Sequence, residues 1–245
     1  MRLLTHSGFF LCFSIASLSV GQADEPDTLL FSDDFERSES QEQKDEIGNG
    51  WGSNSRKRAQ GNKQVDLRNG AMYISIHETA DHAVSVTHPA EFTNGTVRLK
   101  FMLEDEADSL GLNFADLKHK KVWAGHLFVA RISTKDVQLQ DLKTGNMDLE
   151  IRKQRQAKTL TNAQKEMLKT KAVRKKHVLS TGKWHELQID IIDRKISLQI
   201  DGKAVSQFSS DGIAHPTKRL LRLSVPRNAV VDEVRVYRKG KLSAK

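Results

Sequence analysis

Cysteine is nearly missing from this 245-residue chain, and the single one, Cys12, sits in an apolar amino-terminal stretch. Disulfides therefore cannot staple the fold, and thiol chemistry and Cys-based zinc frameworks are excluded with them. Aromatic residues make up 6% of the chain and only two are tyrosine, which argues against an extended aromatic groove. Past Val20 no apolar run approaches the about 18 residues that a membrane-crossing helix needs. Phosphate-cradling and dinucleotide glycine loops are absent, as is the G-x-S-x-G elbow of a nucleophilic serine. The nine histidines lack metalloprotease spacing: His77 and His82 stand five apart, and His119 and His126 seven.

What is present begins with a leader. Arg2, the apolar stretch Phe9 to Val20, and the small residues Gly21 and Ala23 ahead of Asp24-Glu25-Pro26 have the layout of a secretory signal peptide. The expectation is a signal at 1–23 and one exported domain at 24–245, secreted or periplasmic, with no transmembrane segment after cleavage. An uncleaved anchor is the competing reading, and a lipoprotein reading of Cys12 fails on the bulky Phe9-Phe10-Leu11 before it.

The rest reads as short strands. Asn69-Gly70 between Val65 to Leu67 and Ala71 to Ile76 is a hairpin signal, because both residues tolerate positive φ. Val97, Leu99, Phe101 and Leu103 alternate toward one side, and Val122 to Ile132 is nearly continuous apolar sequence, as in a strand buried on both faces. Trp184 to Ile192, Ile196 to Ile200 and Ala204 to Phe208, joined by Asp193-Arg194 and Asp201-Gly202, form a three-stranded meander. Two further strands follow, Leu220 to Val225 and Val230 to Tyr237. About ten short strands with regular turn signals predict a sandwich or barrel.

One segment departs from this grammar. Thr161-Asn162-Ala163-Gln164 matches a capping box, and Ala163, Met167, Leu168 and Ala172 keep helical spacing, which predicts one helix from about Asn162 to Val173. The surrounding insertion, about 145–177, holds ten basic residues against two acidic ones between Glu150 and His177, an excess as large as the +8 of the whole chain. A surface of that sign attracts polyanions. The competing reading is a solvated face that keeps the chain soluble.

Gly182-Lys183-Trp184-His185-Glu186-Leu187, running on to Ile196-Ser197-Leu198-Gln199-Ile200-Asp201-Gly202-Lys203, resembles the meander of concanavalin A-like lectin/glucanase and laminin G-like domains. The opening Leu30-Phe31-Ser32-Asp33-Asp34-Phe35 and closing Val231 to Tyr237 are similar to the terminal strands of exported bacterial members, relatives of the 3-keto-disaccharide hydrolase domain among them. The resemblance implies an all-β, two-sheet antiparallel jelly-roll sandwich, here with one inserted basic α-helix. Its motifs carry packing and turns more than chemistry.

Glucanases of this kind present catalytic carboxylates as E-x-D-x-x-E or E-x-D-x-E on one strand, and no such string occurs here. Glu186 and Asp190 share a face but read as a solvated outer surface. No catalytic residue is assigned. Members of this class often carry calcium, and Asp33, Asp34 and Asp232, at the ends of the first and last strands, are the candidate ligands. Trp51 in a glycine-bearing loop and Trp123 after Lys118-His119-Lys120-Lys121 are the candidate sugar platforms, although core packing outweighs ligand stacking for each, and Trp184 reads as core. Lys165, Lys169, Arg174, Lys175 and Lys176 are the candidate polyanion contacts. The resulting expectation is an exported, non-catalytic module that binds a carbohydrate polymer, acidic polysaccharide in particular, with no nucleic acid as partner because of the leader. A glycoside hydrolase and a structural envelope protein remain the alternatives.

Overall fold

The computed structural model describes residues 27–240, so the expected leader at 1–23 lies outside the described residues. The chain forms β1 (Thr28–Asp33), β2 (Gly52–Ser53), the single turn α1 (Ser55–Arg58), β3 (Val65–Arg68), β4 (Ala71–Ser75), β5 (Val84–Phe92), β6 (Gly95–Met102), β7 (Ser109–Ala115), β8 (His126–Ser133) and β9 (Asp136–Asp141). Two helices follow, α2 (Leu149–Gln156) and α3 (Asn162–Lys169). The remaining strands are β10 (Ala172–Lys176), β11 (Trp184–Ile192), β12 (Lys195–Ile200), β13 (Lys203–Ser209), β14 (Lys218–Val225) and β15 (Asn228–Arg238).

The strands make two antiparallel sheets packed as a sandwich. One has eight strands, in the order β13-β12-β11-β6-β15-β4-β3 with β1 added along β15. The other has seven, in the order β10-β9-β8-β7-β14-β5-β2. Period-two alternation sends Leu187, Ile189 and Ile191 inward from one sheet and Leu110, Leu112 and Phe114 from the other, into one continuous apolar core. With no disulfide available to the described residues, that burial is the main favourable term holding the layers together.

The hairpin at Asn69-Gly70 forms as expected, with φ of 52° and 66°, and the 184–208 meander is β11-β12-β13. The first and last strands are neighbours, β1 lying along β15. Between Phe92 and Gly95 the chain leaves one sheet for the other. The crossing is tight, because a Cβ on Gly95 would lie 2.6 Å from the Tyr237 carbonyl oxygen and 2.7 Å from the Phe92 ring.

The insertion departs from expectation in two ways. The capping box forms, Thr161 and Gln164 bonding reciprocally, but the helix stops at Lys169. From Ala172 the chain is strand β10, pairing Val173 with Leu139 and Arg174 with Gln138 on β9; an open sheet edge and a β-branched residue outweigh continued helical spacing. A second helix, α2, precedes it, capped by the Asp148 carboxylate accepting from the Glu150 and Ile151 amides. Its few apolar residues in a polar run gave too little period to read.

Candidate ligand-binding face

The outer surface of the seven-stranded sheet is assembled by register. Residues opposite one another in an antiparallel pair share a face. One row across the sheet is Thr87, Arg222, Asn113, Val129 and Gln140; the next is Ser85, Ser224, Gly111, Arg131, Gln138 and Arg174. His126 joins from the row beyond, opposite Ala115. All point away from the core, since their chain neighbours Leu112, Phe128, Ala130, Leu139 and Leu223 are core residues.

This face is rich in donors. An Arg222 guanidinium nitrogen, Nη1, lies 3.0 Å from the His126 ring, and Nη2 donates to the Ala124 carbonyl oxygen at 3.4 Å. Arg131 Nη1 donates to Gln138 Oε1 at 3.2 Å and to Gln140 Oε1 at 2.9 Å. Between the two guanidinium groups, by register, stands Asn113, 4% exposed, whose Oδ1 has no hydrogen-bond partner. Burial pushes the His126 imidazole down to about 3, aided by the positive charges of Arg222 and Arg131. It is therefore neutral at physiological pH and can accept from Arg222. Arginine keeps its charge in such settings, so both guanidinium groups remain cations. One row further along, Asp136 stands opposite Lys176 on β10 and is held by Arg174 at 3.0 Å. An electropositive surface of planar, bidentate donors matches carboxylate and sulfate oxygens.

Of the residues singled out in the sequence, Trp123 and Arg174 come to this site. Trp123 is 52% exposed, directly precedes the Ala124 that Arg222 contacts, and has the Arg152 guanidinium 4.3 Å from its ring centroid. Arg174 occupies the β10 end of the second row. Lys176, opposite Asp136, shares that side, but Lys175, opposite Val137, faces the other way. Lys165 and Lys169 are exposed on α3, where Lys169 bonds Glu166 at 2.7 Å. The five basic residues thus do not make one surface, because strand alternation divides what a helix would have gathered.

Trp51 takes the core packing weighed for it, and Trp184 departs from expectation. Trp51 is buried at 8% exposure, packed near Phe31 and Phe35 with Nε1 donating 2.8 Å to Asp33, and is no open platform. Trp184 is 44% exposed. It has the parity of Glu186 and Gln188, which face outward, so alternation already placed it there. Asp33 is likewise committed: Arg37 holds both oxygens, at 2.7 and 3.0 Å, and Trp51 completes the set. Burial would raise its pKa, but Arg37, the Phe35 amide, Asn49 and Trp51 outweigh that and keep it below the usual carboxylate value. It has no oxygen to spare for calcium. Among the described residues no group of three or more His, Cys, Asp or Glu is placed to hold a metal ion.

Arg131, Arg222 and Asn113 belong to none of the sequence motifs, and His126 enters the sequence reading only as a histidine without metalloprotease spacing. The available signal was a lone arginine inside each of two apolar strands, Leu127 to Ile132 and Leu220 to Val225, at an outward position.

No family model matches the chain, and no curated protein matches it. Solved structures match its fold. A laminarinase from Rhodothermus marinus aligns with a TM-score of 0.58 and 13% identity over 88% of this chain and 98% of that one. A protein of unknown function with a galectin-like fold from Bacillus subtilis gives 0.55 and 11% identity, over 90% and 100%. The carbohydrate binding module CBM66 from Bacillus subtilis gives 0.50 and 12% identity, over 78% and 96%. The fold is the concanavalin A-like lectin/glucanase jelly roll, shared by carbohydrate-binding modules and glucanases alike.

Proposed function

We propose that this protein is an exported, non-catalytic carbohydrate-binding module that holds an acidic polysaccharide across the outer face of its seven-stranded sheet. The observation that carries the reading is the pair of guanidinium groups, half-buried Arg222 and exposed Arg131, that register places on either side of Asn113. Uronate or sulfate groups spaced along a sugar chain would meet the arginines, while ring hydroxyls would meet Thr87 and Gln140. Arg174 and Trp123 extend the contact at either end.

A binding role fits better than hydrolysis on the same face. A retaining glycosidase uses two carboxyl groups about 5 to 5.5 Å apart. The outward positions of the central strand β7 are Ser109, Gly111, Asn113 and Ala115, none of them an acid.

The test is affinity electrophoresis of the protein in gels containing polygalacturonate or dextran sulfate. Retardation is expected, weakened about tenfold by Arg131→Gln or Arg222→Gln and reduced by salt, since exposed charge contacts are screened within about 8 Å at physiological ionic strength. Product analysis should find no new reducing ends. Retardation indifferent to both substitutions and to salt overturns the reading. Export is tested by the mass of the secreted product, expected to begin at Asp24. Structural calcium would have to rest on Asp34, Asp232 and backbone oxygens. A rise in melting temperature at millimolar calcium that Asp34→Ala abolishes supports it, and an unshifted melt removes it.

A further inference from the structure

The opposite surface of the sandwich carries a groove of different character. Two cavities of about 330 and 320 Å³ adjoin on the outer face of the eight-stranded sheet, sharing Lys100 and Glu186 as walls. Each reaches the size at which small-ligand sites begin. Trp184 walls the second, together with Asn69 and Asp232. Register explains the assembly: Glu186 on β11 and Asp232 on β15 both stand opposite Lys100 on β6, and Gln188 and Arg235 both stand opposite Arg98.

The strand that supplies the acids is deformed at this point. Val231 and Val234 are both core residues, so the two residues between them, Asp232 and Glu233, are displaced together to the outer side. The pairing of β15 with β6 shifts register there, and Glu233 has a φ of 47°. A bulge in a central strand, with a non-glycine residue in left-handed conformation, costs stability and recurs where a side chain is re-aimed for function. Its effect here is to put Asp232 in the cavity that the exposed Trp184 indole walls and Glu233 in the adjoining one. Lys100 and Arg235 hold Glu233, at 2.5 and 3.0 Å. Among the described residues Glu186 and Asp232 have no side-chain ion pair of their own.

We infer that this groove is a second binding site, and that its ligand is an uncharged sugar chain, one pyranose ring stacking on Trp184 while its hydroxyls bond Glu186, Asp232, Lys100 and Asn69. The charge count selects the class. Lys100, Arg98 and Arg235 face Glu186, Asp232 and Glu233, so the groove has no net attraction for a polyion of either sign, yet it offers donors and acceptors side by side to hydroxyl groups, which are both. An exposed indole supplies apolar contact area for the face of a sugar ring. The inference goes beyond the proposed function and is independent of it, since the two sites use different sheets.

Native gels containing laminarin, xylan, galactomannan or hydroxyethylcellulose provide the probes. At least one is expected to retard the wild-type protein, with little loss at high salt. Trp184→Ala should weaken that retardation at least about tenfold, as truncating a central aromatic contact does, and Trp184→Phe should keep most of it. Arg222→Gln should leave it intact while reducing retention by polygalacturonate, so the two sites fail separately. If Trp184→Ala does not fold by circular dichroism, Glu186→Gln gives the same reading. Absence of retardation by all four polymers, or retardation unchanged in the folded tryptophan and glutamate variants, overturns the inference.

Discussion

Arg222 and His126 illustrate how a strand can hold charge where apolar residues surround it. The guanidinium keeps its proton, so the neighbouring imidazole must give up its own; burial and that cation together hold His126 at about 3. In the unfolded chain the ring would titrate near 6.5. Between those values the unfolded chain takes up a proton that the folded one refuses, so stability falls as pH drops from about 6.5 toward 3, and above that window His126 contributes nothing. His126→Gln is therefore expected to become more stable relative to wild type on acidification, by up to about 1.4 kcal/mol per pH unit. Urea melts at pH 7 and pH 5 check this, and parallel pH profiles for the two proteins would refute it. Asp33 behaves oppositely, its carboxylate stabilised by Arg37. Asp33→Asn should cost about 3 kcal/mol at neutral pH, because it strands a partly buried guanidinium, with the deficit shrinking in acid as wild-type Asp33 takes up its proton.

At the level of elements, the crossing between sheets at Gly95 has no slack. Gly95→Ala would drive a methyl group against the Tyr237 carbonyl and the Phe92 ring, and a loss of about 2 kcal/mol or more in denaturant unfolding is expected; an unchanged midpoint would mean that β5 and β15 can separate at low cost. The sequence shows nothing of this, since Thr93-Asn94-Gly95 has the letters of an ordinary hairpin turn, and only the sheet assignment of β5 and β6 reveals a crossover. Strands whose pattern is local were legible: the meander, the Asn69-Gly70 hairpin, and the capping box at Thr161. What escaped depends on non-local partners. Arg174 becomes part of the candidate site because β9 offers it an edge, Trp51 is buried because Asp33, 18 residues earlier, accepts from its indole, and the rows across the seven-stranded sheet bring together residues from six strands.

For the molecule as a whole, the two faces divide the chemistry by sheet. One is cationic and lacks an acid in its middle, and the other alternates signs around an exposed indole. Stacked sheets lie about 10 Å apart, so ligands on both would be held at a short, fixed separation, with the core between them.

The insertion's last strand has a further consequence. β10 is an outermost rung of its sheet, bonded along one side to β9, and a bare rung of this kind invites another chain to add itself. Arg174, Lys175 and Lys176 put a cation on each successive position, alternating above and below the sheet. Two copies approaching rung to rung would meet charge with like charge on both surfaces, so the triplet acts as a guard against polymerisation. Replacing all three by threonine should produce dimers or longer assemblies in sedimentation velocity runs where the wild type stays monomeric, and a monomeric variant would show that the guard is unnecessary. A polyanion bound on the outer face would neutralise Arg174 and Lys176 of that triplet. Ligand saturation and self-association are thereby linked through one strand, and crowding on an anionic matrix would lower the barrier that keeps each molecule separate.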